Sequence, residues 1–76
     1  MTIRENIEYL FSETVTIKSP HFVASELDIH GVVDDMVHFA NKDFVCVVHL
    51  TDIENVNLDT QEVTIKKSQA SYEEKD

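Results

Sequence analysis

The 76-residue sequence is poor in several residue types, and each scarcity excludes a class of protein. A single cysteine, Cys46, excludes an internal disulfide framework and fits a reducing compartment. The single glycine, Gly31, leaves no glycine-rich phosphate loop and no G-x-S-x-G nucleophile elbow. No apolar run approaches the roughly 18 residues of a membrane span, and the start MTIREN lacks a signal-peptide pattern. We therefore expect a soluble, cytoplasmic protein.

Basic residues are also scarce, with six Lys and Arg against 15 Asp and Glu, for a net charge of −9. Between residues 26 and 62, nine acidic residues face Lys42 alone, so this stretch carries nearly all of the excess. Such a surface repels nucleic acid and anionic membranes and attracts basic proteins. The charge therefore predicts a basic protein partner, with no direct binding to nucleic acid or membrane.

The length predicts one small domain over residues 1–67, followed by a disordered polar tail over residues 68–76. A chain of this size buries only about 60% of its unfolded surface, so its core alone gives marginal stability. Dimerisation or partner binding is a natural source of further stability, and a homodimer is possible on these grounds.

An amphipathic helix is predicted at the start of the chain. Thr2 and Glu5 match the capping box, and apolar residues follow with helical spacing until about Ser12. The apolar stripe comprises Ile3, Ile7, Leu10 and Phe11.

Five short strands follow, because the apolar period changes to two. His30-Gly31 is expected to form a bend or bulge, and a one-turn helix is expected from Thr51 to Val56. The strands are predicted at residues 14–18, 22–30, 32–40, 44–51 and 63–66.

The hairpin through Asn41-Lys42-Asp43 has a register that the apolar pattern selects. Pairing Phe39 with Phe44 and Val37 with Cys46 puts the apolar residues on one face. That face comprises Val33, Val37, Phe39, Phe44, Cys46, Val48 and Leu50. The predicted fold is mainly β with one N-terminal helix (α+β): five antiparallel strands in a small barrel or curled sheet, with the helix packed against it.

This order resembles the small barrels of the Sm-like and SH3-like families, in which a helix precedes five bent strands. Gly31, Asp34 and Asp35 resemble the glycine-then-aspartate stretch of Sm-like proteins, and the likeness spans residues 3–66. The aspartates lie closer to the glycine than in that family, and its basic-glycine pair is absent. The resemblance therefore implies an adaptor or complex subunit, and no RNA-binding residues are transferred to this chain.

Asp34 and Asp35 are the obvious candidates for catalysis or metal binding. In a regular strand they point to opposite faces, so they cannot form an acid–base dyad; Asp35 is expected at the sheet rim, with its carboxylate in water. The predicted register sets Asp34 opposite His49, and an ion pair between them is favoured. A metal shared with His38 is excluded, because residues four apart on a strand are about 13 Å apart. The acidic run also lacks the spacing of an EF-hand loop.

No enzymatic activity and no cofactor are predicted. Cys46 falls on the core face, where a small buried hydrophobe is the expected role. The typical ligand pocket of about 300–1,000 Å³ is hard to form in so small a core.

An acidic face and an outward apolar group remain as candidate binding surfaces. By size and charge the chain resembles phage-encoded acidic DNA-mimic inhibitors, whose targets include histone-like nucleoid proteins, repair enzymes and nucleases. The resemblance implies a competitor of DNA acting in a host cytoplasm. The acidic contacts would be Glu26, Asp28, Asp34, Asp35, Asp52, Glu54 and Asp59. The alternative, a small-barrel adaptor, would bind through strand edges and the outward residues Met36, Val45 and Val47.

Overall fold

The computed structural model describes residues 2–66 and, beyond them, only the backbone of Ser71–Glu74. The protein is mainly β with one short N-terminal helix, as the sequence predicts. A 3₁₀ helix, Leu50–Asp52, joins the fourth and fifth strands. The helix α1 is Ile3–Tyr9, and the strands are β1 Thr14–Lys18, β2 Val23–Val33, β3 Met36–Ala40, β4 Phe44–His49, β5 Ile53–Asn57, β6 Glu62–Ile65 and β7 Ser71–Glu74.

The capping box at the start of α1 is confirmed. Thr2 Oγ1 accepts a 3.1 Å hydrogen bond from the Glu5 amide, and Glu5 Oε1 accepts a 3.0 Å bond from the Thr2 amide. These bonds to Thr2 lower the pKa of Glu5, because they stabilise its ionised form. The helix ends at Tyr9, earlier than predicted; Ile7 and Leu10 are buried, but Phe11 is 45% exposed.

The strands form one mixed sheet in the order β5-β6-β1-β2-β3-β4-β7. The pairing of β1 with β6 is parallel, and the other strand pairs are antiparallel. The prediction is therefore wrong in two respects: residues 14–65 contain six strands rather than five, and the sheet is mixed rather than antiparallel throughout. Of the two forms predicted, a small barrel or a curled sheet, the closed barrel is excluded, because the sheet is open. The extra strand is β5, where the sequence predicts a one-turn helix. As a strand, this segment forms backbone hydrogen bonds with β6. A single helical turn would leave those backbone groups of β6 without a partner.

The predicted strand from Val32 to Ala40 is also wrong. Asp34 and Asp35 form a two-residue turn between β2 and β3, and both have positive φ, 51° and 61°. Positive φ at both central residues is the requirement of a type I′ hairpin turn, usually met by Asn-Gly or Asp-Gly. Two aspartates at these positions indicate a turn less clearly than Asn-Gly or Asp-Gly, so the sequence pattern did not predict this turn.

The register of the β3–β4 hairpin is shifted by two residues from the prediction. Phe39 pairs with Cys46 and Val37 with Val48. A shift of two residues preserves the faces of a strand, so the predicted apolar residues of β3 and β4 still face the core. Val33 does not join them, because it is 60% exposed at the end of β2.

Two bulges bend β2. One lies between Ile29 and Gly31, as predicted for His30-Gly31, and Gly31 has φ 146°. The other lies opposite Thr16 in β1 and contains Glu26, whose φ is 56°. A non-glycine residue with this φ is strained, so the second bulge carries a steric cost.

The core occupies one face of the sheet and is closed by α1. It is a single apolar cluster to which α1 and strands β1 to β6 all contribute, with Phe39 as its largest fully buried side chain. Two backbone bonds of 2.9 Å fix the 3₁₀ connection: the Leu50 amide donates to the Asp35 carbonyl, and the Lys66 amide donates to the Asp52 carbonyl.

The terminal strands of the sheet are β5 and β7. Helix α1, which closes the core, contacts β5, and β7 pairs with β4. The predicted disordered tail, residues 68–76, lies outside the described residues except for the β7 backbone.

Candidate functional site

The outer face of β2, β3 and β4 lies opposite the core, and the strand registers arrange it in rows. Asp28, Ala40 and Val45 form one row at the end near the β3–β4 turn. The middle row is Gly31, His38 and Val47, and the last row, beside the Asp34-Asp35 turn, is Val33, Met36 and His49. Apolar side chains therefore occur in all three rows, interrupted by His38 and His49, with carboxylates at both ends of the face.

Four side chains define the outer apolar patch: Val33, Met36, Val45 and Val47. Val33 is 60% exposed, and the other three are half-buried. A surface cleft of about 340 Å³ beside the patch is lined partly by His30, His38 and Val45. Met36, Val45 and Val47 thus lie together on the face where the sequence predicted them.

One end of this face carries the bulge cluster, which comprises Glu26, Asp28 and Asp43. These residues line a cleft of about 370 Å³ with Asn41 and Lys42. The Asn41 Nδ2 group donates a 3.0 Å bond to the Ser25 carbonyl, and its Oδ1 accepts the Asp43 amide at 2.8 Å. Asn41 therefore holds the β3–β4 turn against the β2 bulge, which brings residues distant in sequence into one cluster.

The opposite end carries the turn cluster, which comprises Asp34, Asp35 and Asp52. The bond from the Leu50 amide to the Asp35 carbonyl sets the 3₁₀ helix, and Asp52 with it, beside the hairpin turn. Arg4 Nη1 lies 3.3 Å from Asp35 Oδ1, and both side chains are at least half exposed. An exposed pair of this kind contributes little stability, about 0–1 kcal/mol.

Glu54 and Asp59 lie outside the turns and the bulge that define these two clusters. Glu54 is exposed on β5, and Asp59 is exposed in the turn between β5 and β6. The predicted acidic set is therefore two clusters plus two separate carboxylates, and not one continuous row.

Few of the predicted contact carboxylates form an ion pair in the part of the chain that the structure describes. Within residues 2–66, the ion pairs are Arg4–Glu8, Arg4–Asp35 and Lys18–Glu62. Of the seven predicted contact residues, only Asp35 takes part in one. Six of the seven are exposed and Asp52 is half-buried, so their charges face solvent.

The proposed Asp34–His49 ion pair is wrong, because His49 pairs with Met36 and Asp34 lies in the turn. His49 instead caps the 3₁₀ helix: its Nδ1 accepts the Thr51 amide at 3.1 Å and lies 2.8 Å from Thr51 Oγ1. In the part of the chain that the structure describes, no group of three His, Cys, Asp or Glu side chains is placed to hold a metal ion.

Cys46 is fully buried on the core face, as the apolar pattern predicts. Burial raises the pKa of its thiol to about 11, because the thiolate would lose its hydration. The thiol is therefore protonated at neutral pH, which is unfavourable for a nucleophile.

Sequence reasoning missed the exposed aromatic residues of α1 and the segment after it. Tyr9 is 66% exposed and Phe11 45%. Tyr9 lines a surface cleft of about 280 Å³ with Glu5 and Glu8. Tyr9 does not belong to the apolar stripe of the helix, and that position could have predicted its exposure. Phe11 does belong to the stripe, and it is exposed because the helix ends at Tyr9.

Comparison of the chain with models of protein families, with curated proteins and with solved structures finds no match. Among the residues that the structure describes, there is no helix with the length and apolar character needed to cross a bilayer.

Proposed function

We propose that this chain is a non-enzymatic acidic binding protein that occupies the DNA-binding surface of a basic host protein, such as a histone-like nucleoid protein. One observation carries the proposal: the outer face of β2–β4 has exposed, mostly unpaired carboxylates at both ends of an apolar patch. Charged ends with apolar side chains between them match the rim and core of a protein interface.

The spacing of the two clusters supports nucleic-acid mimicry. Asp28 lies in β2 and Asp34 in the turn that follows it, so six residues of a bulged strand and turn separate them by at most about 20 Å, at 3.3 Å per residue. Phosphates along one strand of a duplex recur every 3.4 Å of axis, so the two carboxylates can span up to about six nucleotide steps. A basic groove shaped for a duplex would meet negative charge at both ends of this face.

The outer apolar patch would supply the short-range part of the binding energy. Exposed charges at an interface mainly steer the encounter and set the partner, whereas buried side chains at the centre dominate affinity. Met36, Val45 and Val47 lie between the clusters and are already half-buried, so binding would cost them little further ordering.

The test is displacement of a fluorescent duplex from a purified histone-like nucleoid protein. The chain should displace the duplex at low salt and lose this ability as salt rises, because the long-range attraction is screened. Glu26→Lys, Asp28→Lys and Asp34→Lys together should lower the apparent affinity at least about tenfold, with the fold intact by circular dichroism.

A matched control distinguishes the effect of the two clusters on displacement from the effect of total net charge. Glu26→Gln, Asp28→Asn and Asp34→Asn remove three charges from the outer face; Glu8→Gln, Glu13→Gln and Glu62→Gln remove three elsewhere. The first set should weaken displacement much more than the second. Equal weakening would contradict the assigned surface, and unchanged displacement after the triple reversal to lysine would contradict mimicry itself.

A second candidate is an adaptor or complex subunit that binds through the outer apolar patch. The 60% exposure of Val33 beside Met36 favours it, because exposed apolar groups of this kind often mark interaction surfaces. An adaptor's affinity should depend little on salt, and Met36→Ser or Val47→Ser should weaken binding more than the charge reversals do.

A further inference from the structure

The bulge in β2 brings two histidines together on the outer face of the sheet. Ile29 and Val32 both pack towards the core, and two residues, His30 and Gly31, lie between them. In a bulge, two residues of one strand oppose a single residue of the partner strand, and here that residue is His38. His38 itself lies between two buried residues of β3, so its imidazole faces away from the core. His30 and His38 are therefore cross-strand neighbours.

The space around the two histidines is open. Both line the surface cleft of about 340 Å³, together with Gly31, which is next to His30 in the chain and opposite His38 in the sheet. A β-carbon at Gly31 would have no atom within 4 Å apart from its chain neighbours. His30 is exposed and His38 is half-buried. Both imidazoles therefore have room to turn towards a common ligand above the glycine.

The ring nitrogens of this pair are not engaged elsewhere among residues 2–66, where no hydrogen bond or ion pair involves the side chain of His30 or His38. His49, on the same face, differs in this respect. Its Nδ1 accepts the Thr51 amide at 3.1 Å, so in the neutral ring Nε2 carries the proton and no lone pair is left for a further ligand. The pair is thus distinguished from its neighbour by two available nitrogens.

We propose that His30 and His38 form a two-histidine site for a divalent transition-metal ion such as Zn²⁺, with water in the remaining positions. Neutral imidazole is a common ligand of zinc, nickel and copper. Zinc–nitrogen distances of about 2.0–2.1 Å require the two ring nitrogens to come within about 4 Å of each other. Residues that oppose each other on antiparallel strands have β-carbons about 4.5–5.5 Å apart, so rotation of the two side chains can meet this condition.

The charge around the pair favours a cation. Asp28 precedes His30 by two residues and lies in the next row of the same face, and the chain as a whole carries −9, which concentrates cations at its surface. No third His, Cys, Asp or Glu of the described residues completes the site. The ion should therefore be held less tightly than in a four-ligand structural site and should remain exchangeable.

Titration calorimetry with ZnCl₂ tests the site, in a buffer with excess MgCl₂ so that Mg²⁺ competes for the surface carboxylates. The unmodified chain should bind one Zn²⁺. His30→Gln and His38→Gln should each lower the affinity at least about tenfold, because the loss of a direct ligand costs no less than the loss of a contact behind it. His21→Gln removes an imidazole from the turn between β1 and β2 and should leave the affinity unchanged. Absence of saturable binding, or equal losses in all three variants, would overturn the proposal.

A second measurement needs no substitution. In nitrogen NMR spectra of the histidine rings, ZnCl₂ should shift the signals of His30 and His38 and leave those of His21 and His49 in place. Shifts spread evenly over the four rings, or no shift at all, would contradict the site. The inference is independent of the proposed function: these experiments contain no partner protein, and the displacement of duplex DNA requires no metal, so either proposal can fail alone.

Discussion

The backbone amide of Leu50 lies 2.9 Å from the carbonyl oxygen of Asp35 and donates a hydrogen bond to it. This bond joins the tight β2–β3 turn to the start of the 3₁₀ helix, two segments that the sequence separates by the whole of β3 and β4. It fixes the backbone position of the turn cluster, and the Arg4–Asp35 pair adds a side-chain contact to one of its carboxylates.

The turn itself allows a prediction that separates stability from binding. Asp34→Asn with Asp35→Gly introduces the preferred type I′ residues and should raise the free energy of unfolding by about 1 kcal/mol. Urea denaturation measures this change. The same double variant should bind a basic partner more weakly, because it loses two charges.

The control for the turn variant is Asp34→Ala with Asp35→Ala. It removes the same charges but keeps a β-carbon at both positive-φ positions, so it should give no such gain. If the alanine variant were stabilised equally, relief of charge repulsion would be the cause, and the turn argument would be wrong.

The bulge at Glu26 gives a second prediction. Because φ is 56° there, Glu26→Gly should be more stable than Glu26→Ala by about 1 kcal/mol, although glycine costs more chain entropy on folding. Thermal denaturation of the two variants provides the comparison. An alanine variant as stable as the glycine variant would show that the bulge is not held in this conformation in solution.

Cys46 should be inert in the folded protein. With the pKa of the thiol raised to about 11 and the side chain fully buried, a thiol-specific reagent at pH 8 should react at least about 100-fold more slowly than in urea. A time course of modification in buffer and in urea measures the ratio. Reaction in buffer at a rate close to that in urea would contradict the burial of β4.

The pair formed by Lys18 and Glu62 predicts an acid-dependent loss of stability. The Lys18 ammonium, 2.9 Å away, lowers the pKa of Glu62 below its ordinary value of 4.5. A lowered pKa in the folded state stabilises the fold above pH 4.5, and that contribution disappears as pH falls through the folded-state pKa.

Glu62→Gln should therefore lower the urea midpoint at pH 7, and the difference from the unmodified chain should shrink at pH 3. Lys18→Met is the matched control, because it removes the other partner and should make a further Glu62→Gln change nearly neutral. A difference that stays the same at both pH values would argue against this pair.

The sequence predicted those features that depend on local pattern. The capping box of α1 and the bulge at Gly31 follow from residues within a few positions of one another. The core face of β3 and β4 was also predictable, because apolar alternation is insensitive to a shift of two residues.

The missed features depend on contacts distant in sequence or on unusual turn residues. Strand β5 exists because β6 pairs with it, and Ile53–Asn57 has no clear alternation of its own. The Asp34-Asp35 turn lacks the usual glycine, so the sequence pattern predicts a continuous strand there. For the candidate site, the charge of the acidic residues predicted that their side chains are exposed. Their grouping into two clusters depends on the turns and the bulge, which the sequence did not reveal in full.

The parallel pairing of β1 with β6 has a consequence for the order of events during synthesis. Thr16 lies beside Glu62, so the segment through β6 must leave the ribosome before β1 gains its second neighbour. The β1–β4 meander can form earlier from neighbouring residues, whereas α1 must wait for β5 and then helps to seal the core. Contacts that join distant parts of a chain slow folding. A nascent chain halted before β5 and β6 would thus leave the apolar side of its meander open to chaperones.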